Sequence, residues 1–221
     1  MIVFHKVTKK FGNDFVALQD VSLDVDKGEF LFLVGPTGSG KTTLMRLLIR
    51  DIIPTTGRVT VGEWDIGKLP NSKISLLRRK IGFVFQDLKL LVDRTLFENV
   101  ALTLEIMGHN KSEIKKRVDE ALSQVKLQAH SEKFPIQLSG GELQRAAIAR
   151  AFVLRPEILL ADEPTGNLDL DTAWEIIEIL EKINKAGTTI LMATHNIEII
   201  GKLKKRTVSL NKGKVVKDGH A

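Results

Sequence analysis

This sequence predicts an α/β fold: a three-layer core of buried strands and helices, with a partly antiparallel β segment and an inserted lobe that is mostly helical. Three observations carry that expectation. Short apolar runs alternate with helical patterns along much of the chain. One of those runs passes through a glycine-rich turn straight into a helix. Strand signals then stop between about Thr95 and Leu154, and resume afterwards.

Taken in order, "IVFHKVTKKFG" (2–12) and "GRVTVGEWDI" (57–66) read as more exposed, partly antiparallel strands. "EFLFLVG" (29–35) is a strand ending in glycine, and "KTTLMRLLI" (41–49) after it reads as a helix. "KIGFVFQ" (80–86), "EILLAD" (157–162) and "TTILMAT" (188–194) are apolar runs of the kind that form strands buried on both faces. Within the lobe, "TLFENVALTLEIM" is helical up to Gly108, and "SEIKKRVDEALSQV" carries Ile114, Val118, Leu122 and Val125 along one face. A third helix, "ELQRAAIARAFVL", follows Pro135. The tail "RTVSLNKGKVVKDG" reads as a hairpin turning at Asn211–Gly213.

At 221 residues the chain fits one domain with an inserted lobe. It has no cysteine, which excludes a disulfide framework and a thiolate metal site. Its net charge of +6 is gathered in "LLRRK" (76–80), "KKR" (115–117) and "KLKKR" (202–206). No aromatic residues interleave these runs, so they read as solvated helix faces, and no nucleic-acid partner is expected. No apolar run is long enough to span a bilayer, and the N-terminus lacks the basic start and apolar run of a secretory signal. Any work at a membrane is expected to go through a partner.

The chemistry-bearing residues sit at strand ends. "GPTGSGKT", Gly35 to Thr42, matches G-x-x-x-x-G-K-[ST] at a strand-to-helix junction. Such a loop closes backbone N–H groups around a phosphate, and the helix N-terminus adds a favourable dipole. Lys41 would reach the β- and γ-phosphates, and the Thr42 hydroxyl would ligate Mg²⁺. "ILLADEP" (158–164) ends in two carboxylates, placing Asp162 to help hold the metal and Glu163 to act as general base. Gln86 and His195 end two further strands; an amide there could touch metal and water, and an imidazole the γ-phosphate.

"LSGGELQR" (138–145) poses a separate question, since Gly140 and Gly141 stand where a helix should begin. Ser139 and Glu142 form a capping box. The glycines would then be slack in the first turn, or would leave N–H groups open to an anion.

Together these motifs make the chain similar to the ATP-binding cassette (ABC) ATPases nearly end to end. "GPTGSGKTT" resembles the Walker A, "VFQD" the Q-loop, "LSGGELQR" the signature, "ILLADEP" the Walker B, "GNLD" the D-loop and "ATHN" the H-loop. The resemblance implies a P-loop NTPase fold, a RecA-like core with an antiparallel β subdomain (1–87 and 156–221) and an inserted helical signature subdomain (88–155). It implies that ATP and Mg²⁺ are bound. Gly35, Pro36, Thr37, Gly38, Ser39, Gly40, Lys41, Thr42 and Thr43 would line the phosphates, and Phe11 would stack on adenine. Thr42, Gln86 and Asp162 would hold the metal; Glu163, His195, Gln86 and Lys41 would be catalytic.

Two cassettes of this family pair head to tail around two ATP molecules. Ser139, Gly140 and Gly141, with Asp169 of the D-loop, would therefore act on nucleotide held by a second copy. Leu143 replaces a common glutamine without touching the serine and glycines. "QDLKLLVDRTLFENVAL" resembles the cell-division branch of the family, although Asn196 replaces the aspartate more usual after His195. Lipoprotein-release and macrolide-efflux ATPases share "ADEPTGNLD". The resemblance implies an ATP-dependent homodimer at the cytoplasmic face of a bacterial plasma membrane, held by an integral membrane partner that docks near 88–100.

Overall fold

The structure is a computed structural model that describes residues 1–12 and 15–220. Six strands form one sheet: β3 (Phe30–Val34), β6 (Ile81–Val84), β7 (Ile158–Asp162), β8 (Thr189–Ala193), β9 (Arg206–Asn211) and β10 (Lys214–His220). Their spatial order is β10-β9-β3-β8-β7-β6. All neighbours pair in parallel except β10, which folds back on β9 as an antiparallel hairpin. A second, antiparallel sheet has the order β2-β1-β4-β5, from β1 (Ile2–Phe11), β2 (Phe15–Val25), β4 (Thr56–Val61) and β5 (Trp64–Asp65).

Side chains that alternate across the parallel sheet divide the apolar interior in two. Phe30, Phe32, Leu159 and Ala161 point into one cluster, packed by α3 (Leu96–Ile106), α4 (Lys111–Gln124), α5 (Gly140–Phe152) and α6 (Leu170–Lys185). Leu31, Leu33, Ile158 and Leu160 point into the other, against α1 (Lys41–Leu48) and the antiparallel sheet. Every residue of β7 and β8 is buried. Each Leu or Ile sealed there contributes roughly 1.5–3 kcal/mol relative to exposure. The helices carry their own start signals. Thr95 and Ser139 form complete capping boxes on α3 and α5, and Asn110 and Asp169 cap α4 and α6.

Four elements go beyond the sequence expectation: β2, α2 (Ile74–Arg79), α6 and α7 (Ile197–Leu203). The exposed β character expected for 2–12 and 57–66 also needs correction, because Ile2, Phe4, Val7, Val59 and Val61 are buried. Those strands are amphipathic, with one face on the core. Finally, β6 ends at Val84 and β8 at Ala193, so Gln86 and His195 stand two residues beyond their strands.

The topology decides where the site lies. Because β3, β8, β7 and β6 are parallel neighbours, the loops after them emerge side by side along one sheet edge. In spatial order they carry the phosphate loop, His195, Asp162 with Glu163, and Gln86.

Candidate nucleotide site

The loop between β3 and α1 is held open by its backbone. Gly35 has φ 146°, and a Cβ there would lie 2.1 Å from the Leu210 carbonyl oxygen, so only glycine fits. No side chain caps α1, which leaves its first N–H groups unclaimed by protein. The Ser39 hydroxyl is buried without a hydrogen-bond partner among the described residues. Lys41, itself 8% exposed, bends back into the loop. Its Nζ donates to the carbonyls of Gly35 (2.8 Å) and Pro36 (3.3 Å). Unused donors and a cation folded over its own cradle are what an anion-binding loop presents.

Beside it, Thr42 Oγ1 donates to Asp162 Oδ2 at 2.8 Å, joining the start of α1 to the end of β7. Burial pushes the Asp162 carboxyl above the ordinary aspartate range, while the Thr42 hydrogen bond and the Lys41 charge pull it back. Thr42, Asp162 and Gln86 line one open cleft of about 1000 Å³, together with Arg46, Phe83 and Phe85.

Glu163 occupies a left-handed conformation, φ 50°, that is unusual for a non-glycine residue. Its N–H donates to the Ala193 carbonyl (3.0 Å) and its carbonyl accepts from Gly166 N (3.2 Å). This backbone turns the carboxylate toward His195, whose Nδ1 is 2.9 Å from Oε2, and places Oε1 4.0 Å from Lys41 Nζ. A carboxylate at that distance accepts a hydrogen bond from the Nδ1–H of the imidazole, which leaves Nε2 facing away from it. Strain of this kind gathers at functional sites.

Phe11, expected to carry adenine, is partly exposed at the end of β1 and stacks on Phe15 with centroids 6.4 Å apart. Lys9 Nζ lies 4.9 Å over the Phe11 ring.

A second cleft, of about 490 Å³, is lined by Ser139, Gly140, Gly141, Arg145, Asn167 and Asp169. It shares only Asn167 with the lining of the first cleft. The signature residues therefore line a cleft separate from the one that holds Thr42, Gln86 and Asp162 of their own chain. Both bonds of the capping box form: Ser139 N donates to Glu142 Oε2 (2.7 Å) and Glu142 N to Ser139 Oγ (3.3 Å). Asp169 accepts from Thr172 N (3.0 Å) and Thr172 Oγ1 (2.7 Å), so its carboxylate serves as the cap of α6.

The two glycines are not equivalent. Gly140 is exposed, and the nearest atom to a Cβ there is 3.8 Å away. Gly141 is buried, and a Cβ would meet Thr172 Cγ2 at 2.5 Å. One leaves its N–H open; the other lets α5 approach α6. Gly141→Ala should therefore destabilise the fold by roughly 1–2 kcal/mol, an overpacking cost reduced by alanine's better helix propensity. Gly140→Ala should not lower the thermal midpoint at all. Thr172→Ser removes the obstructing methyl but keeps the hydroxyl on Asp169. In melting experiments it should rescue Gly141→Ala; a lack of rescue would show that the contact is not what demands glycine.

These are the working parts of a P-loop nucleoside triphosphatase. The chain belongs to the ABC transporter family, whose profile matches residues 18–166, and it is an ATPase of the ABC type. It is 47% identical over 218 residues to the cell division ATP-binding protein FtsE of Bacillus subtilis, covering 99% of this chain and 96% of that protein. It is 45% identical to FtsE of Escherichia coli, over 96% of each chain. Among solved structures it resembles the ATP-binding cassette MJ0796 in a dimeric post-hydrolysis state bound to ADP and Pi. That likeness has a TM-score of 0.90 and 36% identity, and covers 100% of this chain and 98% of that one. CbiO1 of Clostridium perfringens, part of the cbiONQ transporter complex, matches with a TM-score of 0.91 and 30% identity over 99% and 87% of the two chains.

Proposed function

We propose that this chain is the ATP-hydrolysing subunit of a cell-division complex, working as an ATP-bound homodimer on an integral membrane partner of the FtsX type. In the resemblance, that partner regulates cell-wall hydrolysis at the division site, and the pair contacts the division-ring protein. The carrying observation is identity of 45–48% to FtsE proteins along 96–99% of the chain. No helix among the described residues is long and apolar enough to cross a membrane. In this reading the protein sits peripherally at the cytoplasmic face, held there by its partner.

The geometry supports the following residue roles. Lys41 leaves the Gly35 and Pro36 carbonyls to bind the β- and γ-phosphates, and the free N–H groups of 35–43 close around them. Glu163 takes the proton of the attacking water. His195 holds the Glu163 carboxylate in place through Nδ1. Phe11 stacks on adenine once Lys9 moves off its face. Thr42, Asp162 and, across the cleft, Gln86 offer hard oxygen donors that fit Mg²⁺, since a buried carboxylate needing charge compensation stands beside a hydroxyl. When bound, the ion would neutralise charge on the phosphates. Ser139 and Gly140 would reach the γ-phosphate held by the second copy.

The apolar segment after Gln86 is the proposed docking surface. Leu88 and Leu90 pack against the core, but Leu91 and Val92 are 39% and 75% exposed. Buried Asn99 braces the segment: its Oδ1 accepts from Leu91 N (2.7 Å) and its Nδ2 donates to Leu91 O (3.0 Å). Leu91 is thus presented on a fixed backbone, as an apolar helix-in-groove contact requires. Removing one buried leucine contact forfeits roughly 1.5–3 kcal/mol, so Leu91→Glu should cost at least about tenfold in affinity. It should abolish co-purification with an FtsX-type membrane protein, while ATP binding and melting stay unchanged. A folded variant that still co-purifies would put the docking site elsewhere. A neighbouring gene of the lipoprotein-release or macrolide-efflux type would favour transport over division.

A further inference from the structure

Two consecutive residues just past Gln86, Leu88 (φ 58°) and Lys89 (φ 52°), lie in the left-handed region without being glycine. Local hydrogen bonds close this turn: Leu88 N donates to the Phe85 carbonyl (3.1 Å) and Lys89 N to the Asp87 carbonyl (2.6 Å). Gln86 sits inside it. A pair of left-handed non-glycine residues persists only where its surroundings over-determine it.

Besides these local bonds and the packing of Leu88 on the core, one distant side chain holds both residues. Arg150, in the last turn of α5, donates from its two terminal nitrogens to the carbonyls of Lys89 and Leu88, both at 2.5 Å. Its charge has no carboxylate within ion-pair distance among the described residues. Burial lowers the guanidinium's pKa from its ordinary value, which marks how far the group has left water. A half-buried cation spent entirely on two loop carbonyls makes sense if those carbonyls must be aimed. The planar fork suits the task, since its two terminal nitrogens point in fixed directions at two neighbouring carbonyls, whereas an ammonium is a point charge with no set orientation.

We propose that Arg150 is a positioning residue that clamps the 85–89 turn, and with it Gln86, to α5. Ser139 starts α5 and Arg150 stands near its end, so one rigid helix carries the signature and the clamp. A shift of α5 at one end is passed to the Gln86 turn at the other. The proposal rests on the reading of Gln86 as part of the hydrolytic site, and the test separates the two.

Arg150→Met and Arg150→Lys would be compared with the unaltered chain by amide hydrogen exchange, ATP affinity and ATP turnover. With the clamp lost, the Leu88 and Lys89 amides should exchange at least about tenfold faster, while those of α5 keep their rates. ATP affinity should stay within about twofold, and kcat should fall by about tenfold or more. Glycine at 89 adopts the left-handed form freely and leaves the core-packed Leu88 in place, so adding Lys89→Gly to Arg150→Met should restore part of the rate; a residue that merely fills space could not be rescued this way. Should the methionine variant not fold, the lysine variant decides. Unchanged exchange at 88–89, or equal loosening of α5, would overturn the clamp. Faster exchange at 88–89 alone with unchanged kcat would uphold the clamp and remove Gln86 from hydrolysis.

Discussion

Glu163→Gln should trap the protein with ATP bound and slow hydrolysis by at least about a hundredfold, which corresponds to about 2.7 kcal/mol of barrier. The substitution is nearly isosteric. Glutamine Oε1 can still accept from His195 Nδ1, now 2.9 Å from the carboxylate, so the local backbone has no reason to move. What disappears is the capacity to take a proton from water. Ground-state binding should not suffer. Glu163 Oε1 lies 4.0 Å from Lys41 Nζ, so removing its charge releases the lysine toward phosphate and removes a repulsion with the γ-phosphate. ATP affinity should therefore hold or rise, and the ATP-bound dimer should accumulate in size-exclusion chromatography. Single-turnover hydrolysis near the wild-type rate would remove Glu163 from the role of base.

The fold and the phosphate loop were legible because their signals are local. A strand, a glycine-rich turn and a helix follow one another between Glu29 and Ile49, and that order alone implies the loop's geometry. Helix α6 was equally available: Ala173, Ile176, Ile177, Leu180 and Ile183 mark a helical face after the cap at Asp169. Its acidic and basic residues diluted that stripe. Gln86 and His195 were found as polar residues after apolar runs, but the runs overstated the strands by two residues, since hydropathy does not report where pairing ends.

Other features depend on contacts distant in sequence and had no local sign. That Gly141 must be glycine while Gly140 need not depends on the position of Thr172, across the α5–α6 contact. The left-handed turn at Glu163 depends on the Ala193 carbonyl of the neighbouring strand. Arg150 reads in sequence as one more charge on a helix; only the fold brings it to the Leu88 and Lys89 carbonyls, some sixty positions away. The three leucines and one valine of 88–92 look alike in sequence, yet two are core and two are surface. Which side of a chain faces inward is a tertiary fact whenever the run is too short to show a period.

Ser139→Arg and Lys41→Ala should each abolish ATP turnover, for different reasons, and mixing the two proteins should bring part of it back. Lys41 is the cation of the phosphate loop, so its loss should weaken ATP binding itself. Ser139 lines the cleft that contains neither Thr42 nor Asp162, so an arginine there should leave the binding of ATP by its own chain intact. The fold should survive, because losing the serine cap on α5 costs about 0.5–2 kcal/mol and a few degrees of melting temperature. An arginine at the open helix end would instead block approach of a second copy. In a mixed dimer, the Ser139→Arg subunit contributes an intact phosphate loop and the Lys41→Ala subunit an intact signature. One of the two composite sites is then complete and the other is doubly damaged. Random pairing makes half the dimers mixed, so recovery should approach about a quarter of the wild-type rate where the sites act independently. Fluorescent-nucleotide titration of each variant, followed by turnover of the mixture, measures both parts. If Ser139→Arg lost nucleotide affinity as severely as Lys41→Ala, or if mixing restored nothing while mixed dimers formed, the signature would be acting within its own chain.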